Sequence, residues 1–220
     1  MSGAAYDLVI FDCDGVLINS EEIASGVCVE ALAGLGVNLT LREYAARYSG
    51  RPVADAWLQV ESDHGRPLPE GFREKVDTEV LRRFSLHLEP MEGVVEVLQA
   101  MRQPRCVASS TTLPLLQANL VQVGLSRFFD PSIFSVSQVR RGKPAPDVFL
   151  FAASQMGADP HRCLVIEDSA AGVAAARRAG MQAIGFCGGG HAAHDHAEKL
   201  GAQGASRVIR AMRELAPLLG

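Results

Sequence analysis

Short, nearly continuous apolar runs recur along this chain at Leu8–Phe11, Cys106–Ala108, Ile133–Ser135, Cys163–Ile166 and Ala183–Phe186. Runs of this kind suit strands buried on both faces, as in a parallel sheet. Helical spacing of apolar positions follows them, at Leu113–Val123, Pro146–Met156, Ala170–Ala179 and Ala192–Leu200. Gly124, Gly157, Gly180 and Gly201 stand where those helices should end. Strand alternating with helix predicts an α/β core, a doubly wound parallel sheet.

The rhythm breaks after the first strand. Helical patterns run near Glu21–Leu35, Arg42–Tyr48, Val53–His64 and Pro69–Phe84, punctuated by Gly36, Gly50, Gly65 and Pro67. Strand-like segments resume at Cys106. Residues 18–87 therefore read as a small α-helical cap domain, inserted into a core made of residues 1–17 and 88–220.

Composition narrows the class. Of 220 residues 48% are apolar, enough for one substantial core and a small satellite, and the net charge of −4 argues against nucleic acid as a partner. No apolar stretch reaches the ~20 residues that span a bilayer, and Met1–Tyr6 lacks the features of a secretory signal. Cys13, Cys28, Cys106, Cys163 and Cys187 are scattered without a CxxC pair, so neither zinc nor a disulfide framework is expected. A cytoplasmic monomer acting on a small molecule is the expectation.

Chemistry concentrates at strand ends. Asp12 and Asp14 follow the first strand; residues i and i+2 share a side, and Gly15 permits a tight turn. Ligands of open α/β sheets bind beyond such carboxyl ends. Glu167-Asp168 ends a second strand, and four carboxylates brought together call for a cation such as Mg²⁺. Ser109-Ser110-Thr111-Thr112 ends a third, where hydroxyls and N–H groups before a helix suit an anion. Lys143 lies in a turn before the next helix; only three of the 21 basic residues are lysines. Each segment also has a plain structural reading: an acidic turn, a helix cap by Asp168, an ordinary cap at Ser109–Thr112, a solvated lysine.

Together, Asp12-Cys13-Asp14-Gly15-Val16, Val107-Ala108-Ser109-Ser110, Gly142-Lys143-Pro144-Ala145-Pro146-Asp147 and Ile166-Glu167-Asp168-Ser169 resemble the motifs of the haloacid dehalogenase-like superfamily, in its helical-cap group. The likeness spans essentially the whole chain and is nearest to β-phosphoglucomutase-like sugar-phosphate and 6-phosphogluconate phosphatases. It implies a Rossmann-like core and a Mg²⁺-dependent phosphatase. By position, Asp12 is the implied nucleophile and Asp14 the implied acid and base. Asp12, the Asp14 carbonyl and Asp168 are the implied metal ligands, with Glu167 in support. Ser109, Ser110 and Lys143 are the implied phosphate binders.

Within the family, the second aspartate and the acidic pair argue against dehalogenation. Phosphonate hydrolysis would need a cap lysine soon after the first motif, and the lysine of this cap, Lys75, comes late. Ala24 and Val53 fall where the phosphoglucomutases carry a histidine and a phosphate-binding arginine, which favours hydrolysis over a mutase. A non-catalytic phosphate- or partner-binding relative is the reading from another class. Substrate contacts are expected from the cap, with Arg51 foremost and Glu21, Lys75, Arg47 and Trp57 as further candidates. His191, His194 and His196 match no strong ligand pattern and predict a rim loop, with His191 a minor substrate contact.

Overall fold

A computed structural model of the protein describes residues 6–49, 53–190 and 195–219. Arg51, His191 and His194 lie outside the described residues. The strands are β1 (Leu8–Phe11), β2 (Arg105–Ser109), β3 (Ile133–Ser135), β4 (Cys163–Glu167), β5 (Gln182–Phe186) and β6 (Arg207–Ile209). They form one parallel sheet in the order β3-β2-β1-β4-β5-β6. The core helices are α5 (Val94–Ala100), α6 (Leu113–Gln122), α7 (Asp147–Gln155), α8 (Ala170–Arg178), α9 (His196–Ala202) and α10 (Ala216–Leu219).

The apolar alternation along each strand builds two layers. Val9, Phe11, Val107, Leu164 and Ile166 pack on one face with Val97 and Leu98 of α5 and Leu116 and Leu120 of α6. Leu8, Ile10, Cys106, Cys163 and Val165 pack on the other with Phe149 of α7 and Val173 of α8. Successive side chains of a strand point to opposite faces, so an uninterrupted apolar run fills both layers. Register then aligns the site: Phe11 is level with Val107 on one side and Ile166 on the other. Asp12 thus emerges between the ends of β2 and β4.

Between β1 and α5 lie α1 (Ser20–Ala33), α2 (Leu41–Tyr48), α3 (Val53–His64) and α4 (Phe72–His87). They bury a cluster of their own that includes Val27, Leu32, Tyr44, Tyr48, Trp57, Val60, Phe72 and Val76. Trp57 meets Phe72 edge-on at 5.8 Å, which makes it an anchor of this cluster and not a substrate contact. The two connections to the core run side by side. Ile18 bridges to Pro90, and the Asn19 N–H donates to the Glu89 carbonyl at 3.1 Å. The Asn19 side chain accepts from the Glu89 N–H at 2.9 Å.

Three expectations need correction. The sheet has a sixth strand, β6, and α5 precedes β2. Gly201 lies inside α9, and Gly204, at φ 95°, takes the left-handed place beyond it. The cap of α8 is Ser169, whose hydroxyl accepts from the Gly172 N–H, and not Asp168. No helix among the described residues is long and apolar enough to cross a membrane.

Candidate active site

A cleft of about 540 Å³ opens at the carboxyl ends of β1, β2 and β4, between them and the inserted helices α1, α3 and α4. On its floor Lys143 is almost wholly buried. Its ammonium donates to Asp12 Oδ1 at 2.5 Å, to Glu167 Oε1 at 2.7 Å and to the Ala108 carbonyl at 3.1 Å. That uses all three of its N–H donors. The Phe149 ring lies 4.9 Å from the same nitrogen. Glu167 is held in turn: its Oε2 accepts from the Ser169 N–H at 2.7 Å and the Ser169 hydroxyl at 2.9 Å.

Asp14 has a different setting. Its Oδ1 accepts from the Ser20 hydroxyl at 2.7 Å. Its Oδ2 accepts from Thr111 Oγ1 at 2.7 Å and, more weakly, from Ser109 Oγ at 3.3 Å. The turn after Asp14 depends on Gly15, at φ 74°; a Cβ there would lie 2.0 Å from Asp168 Oδ2. The backbone therefore presses directly against the Asp168 carboxylate, an approach that only glycine allows.

One oxygen each from Asp12, Glu167 and Asp168 can lie within 4.8 Å of the others. Burial pushes both Asp12 and Asp168 well above the usual carboxylate range. Glu167 and Asp14 push both the same way, while Lys143 opposes. Burial works against the charge of Lys143, but Asp12 and Glu167 outweigh it and raise its pKa. Three buried carboxylates share one ammonium, and the surplus of hard oxygens fits a divalent cation of the Mg²⁺ type.

The residues singled out from sequence separate here. Asp12, Asp14, Ser110, Lys143, Glu167 and Asp168 line the cleft from the core, and Glu21 lines it from α1. Ser109 is fully buried just behind, bonded to Asp14. Lys75 is exposed on α4 and does not line the cleft, because the neighbouring Phe72 and Val76 take the face that packs inward. Arg47 is likewise exposed and away from it. Sequence reasoning passed over Ser20 as well as Thr111's bond to Asp14. Ser20 offered little signal beyond its nearness to the first motif, whereas Thr111 stood in the hydroxyl run.

Residues 6–180 match the family pattern of the haloacid dehalogenase-like hydrolases. The 6-phosphogluconate phosphatase of Escherichia coli is 32% identical over 186 residues, 84% of each chain. A haloacid dehalogenase-like protein from Agrobacterium tumefaciens superposes with a TM-score of 0.93 at 38% identity, over 97% of both chains. A family hydrolase from Deinococcus radiodurans, solved with bound phosphate and sodium, superposes with a TM-score of 0.86 at 35% identity over 98% of both. The chain belongs to the haloacid dehalogenase-like hydrolases and is related, among them, to phosphatases of phosphorylated sugars.

Proposed function

We propose that this phosphatase hydrolyses a small phosphomonoester, a sugar phosphate, through a phosphoryl group carried on Asp12. The observation that carries the reading is the pairing of two carboxylates with different surroundings. Asp12 is fixed by Lys143 within the acidic group, while Asp14 is held by hydroxyls two residues on. Asp12 Oδ attacks phosphorus, the bond to the leaving oxygen breaks, and Asp14 gives that oxygen its proton. Asp14 then takes a proton from water, the resulting hydroxide attacks phosphorus, and the bond to Asp12 breaks with release of phosphate. Lys143, Ser109 and Ser110 answer the charge of the transferring group. Mg²⁺ would be held by Asp12, the Asp14 carbonyl and Asp168, with Glu167 in support, and it supplies charge neutralisation to phosphoryl transfer.

Residues 18–87 act as a cap that admits substrate and then excludes water, on a core of residues 1–17 and 88–220. Ala24 and Val53, at the positions where the mutases carry histidine and arginine, both line the cleft. Small apolar groups there do not hold a second phosphate, which supports hydrolysis over isomerisation.

The test is release of inorganic phosphate from p-nitrophenyl phosphate and a panel of sugar phosphates with Mg²⁺. Asp12→Asn is expected to lose at least about a thousandfold in kcat. Equal activity in the variant, or ligand binding without turnover in the wild type, contradicts the reading. With β-glucose 1-phosphate, an isomer formed without phosphate release would make the enzyme a mutase instead.

A further inference from the structure

The inserted helices hold a second cavity, of about 290 Å³, away from the catalytic cleft. Helix geometry sets the separation. α1 reaches the cleft at Ser20 and this cavity at Leu32, about 18 Å further along at ~1.5 Å per residue. α3 likewise reaches the cleft at Val53 and the cavity at Val60 and His64. Leu32, Val37, Val60 and Leu68 supply apolar walls that continue the cluster buried by these helices. Well-packed interiors leave few voids larger than one water, and an opening of this size falls at the lower end of ligand sites.

Two polar groups border the cavity. His64 ends α3 there, and its Nε2 is buried without a hydrogen-bond partner among the described residues. A buried nitrogen in that state costs free energy that a ligand atom can recover. Arg66 stands exposed beyond the left-handed turn at Gly65 and donates one N–H to the Leu35 carbonyl. Among the described residues it makes no ion pair. The acids nearest to it in sequence are committed elsewhere. Glu61 accepts from the Leu68 N–H at 3.1 Å and from Arg73 at 3.0 Å. Asp63 accepts from the Tyr48 hydroxyl at 2.8 Å and from Gln59 at 2.7 Å. A guanidinium is a planar fork of donors that fits a carboxylate.

We propose that this cavity is a second binding site, separate from the phosphate site, for a small carboxylic acid with a compact apolar body. The apolar part covers Leu32, Val37 and Val60, and the carboxylate lies between Arg66 and His64. A phosphorylated sugar, hydroxylated over its whole surface, would lose those hydrogen bonds against such walls, so the site does not repeat the substrate site.

The one tryptophan of the chain, Trp57, is buried in the same cluster, one turn before Val60 on α3. Its fluorescence therefore reads binding without an activity assay. The matched probes are cyclohexanecarboxylate and cyclohexylmethanol, which do not absorb where tryptophan does. An apolar cavity alone favours the alcohol, because it strips no water from a charge. The wild type is expected to respond saturably to both and to bind the acid about fivefold more tightly, and Arg66→Gln to abolish or reverse that preference. Leu68→Phe, which fills the cavity from a half-buried position, is expected to weaken both probes by about tenfold. The preference is a ratio within each protein, so partial misfolding does not imitate its loss, and the wild-type values stand as a test without any variant. The absence of a saturable change with either probe overturns the site. Equal or tighter binding of the alcohol by the wild type overturns the acid as its ligand. An acid preference that survives Arg66→Gln, or full binding in Leu68→Phe, places the ligand elsewhere and overturns the proposal. Inorganic phosphate should leave the affinity for the acid unchanged, and competition would put the acid in the catalytic cleft instead. None of these outcomes depends on whether Asp12 carries a phosphoryl group.

Discussion

Three buried charges at the floor of the site are linked in a chain: the Ser169 hydroxyl to Glu167, Glu167 to Lys143, Lys143 to Asp12. Asp168 and Asp12 still carry more negative charge than one ammonium balances. Their pKa values in the folded protein are raised above those of the unfolded chain. The folded state therefore binds more protons, and without metal its stability falls as pH rises above the ordinary carboxylate range. A divalent cation competes with those protons. Its stabilising effect should grow with pH, reaching about 2.7 kcal/mol at a concentration of about 100 times its dissociation constant. Thermal unfolding with and without Mg²⁺ at about pH 5.5 and about pH 8 measures this, since cation binding is linked to proton release. A shift that is equal at both, or larger at the lower pH, would contradict the assignment.

At the scale of elements, α8 fixes Glu167 through close backbone approach. A Cβ on Gly172 would lie 1.7 Å from Glu167 Oε1. Gly172→Ala should therefore destabilise by about 1–3 kcal/mol, the range for overpacked sites, and lower activity by displacing the partner of Lys143. Gly201 offers a control, because nothing lies within 4 Å of a Cβ there and it sits within α9. Gly201→Ala should stabilise by about 0.5–1 kcal/mol. Urea unfolding of the two variants decides, and a tolerated Gly172→Ala would show that the contact yields. The same elements show what the sequence made legible. The five apolar strand runs and the strand-end acids could be read because burial on both faces forces an unbroken apolar pattern. Arg207–Ile209 could not, being a three-residue edge strand that begins with an exposed arginine. Nor could the exposure of Lys75, since a seven-residue stretch such as Phe72–Thr78 carries helical spacing without saying which flank meets the cleft. The bond from Ser20 to Asp14 joins two segments through a tight turn, and no local periodicity encodes that.

For the whole molecule, the governing contact is the paired connection between core and inserted helices. Asn19 bonds across it through both backbone and side chain. Asn19→Ala is expected to lower overall stability by about 1 kcal/mol, the usual net worth of a hydrogen bond. It should also speed limited proteolysis within the two connecting segments, because local opening there becomes easier. Unchanged cleavage sites and rates would show that the pairing survives on backbone bonds alone.

Because Asn19 and Glu89 stand one hydrogen bond apart, the chain leaves the sheet and returns to it at nearly one point. From the standpoint of the core, the intervening helices are a loop whose ends are already closed. The entropic cost of such a loop changes only slowly with its length, and insertions with adjacent ends are the kind that domains tolerate. Exchange of these helices for those of a relative is accordingly expected to leave the register of the sheet unchanged, provided the contacts of Ile23 and Phe84 with the core are kept. On the function proposed above, substrate choice and phosphoryl chemistry would fall to separable stretches of one chain, free to diverge at different rates.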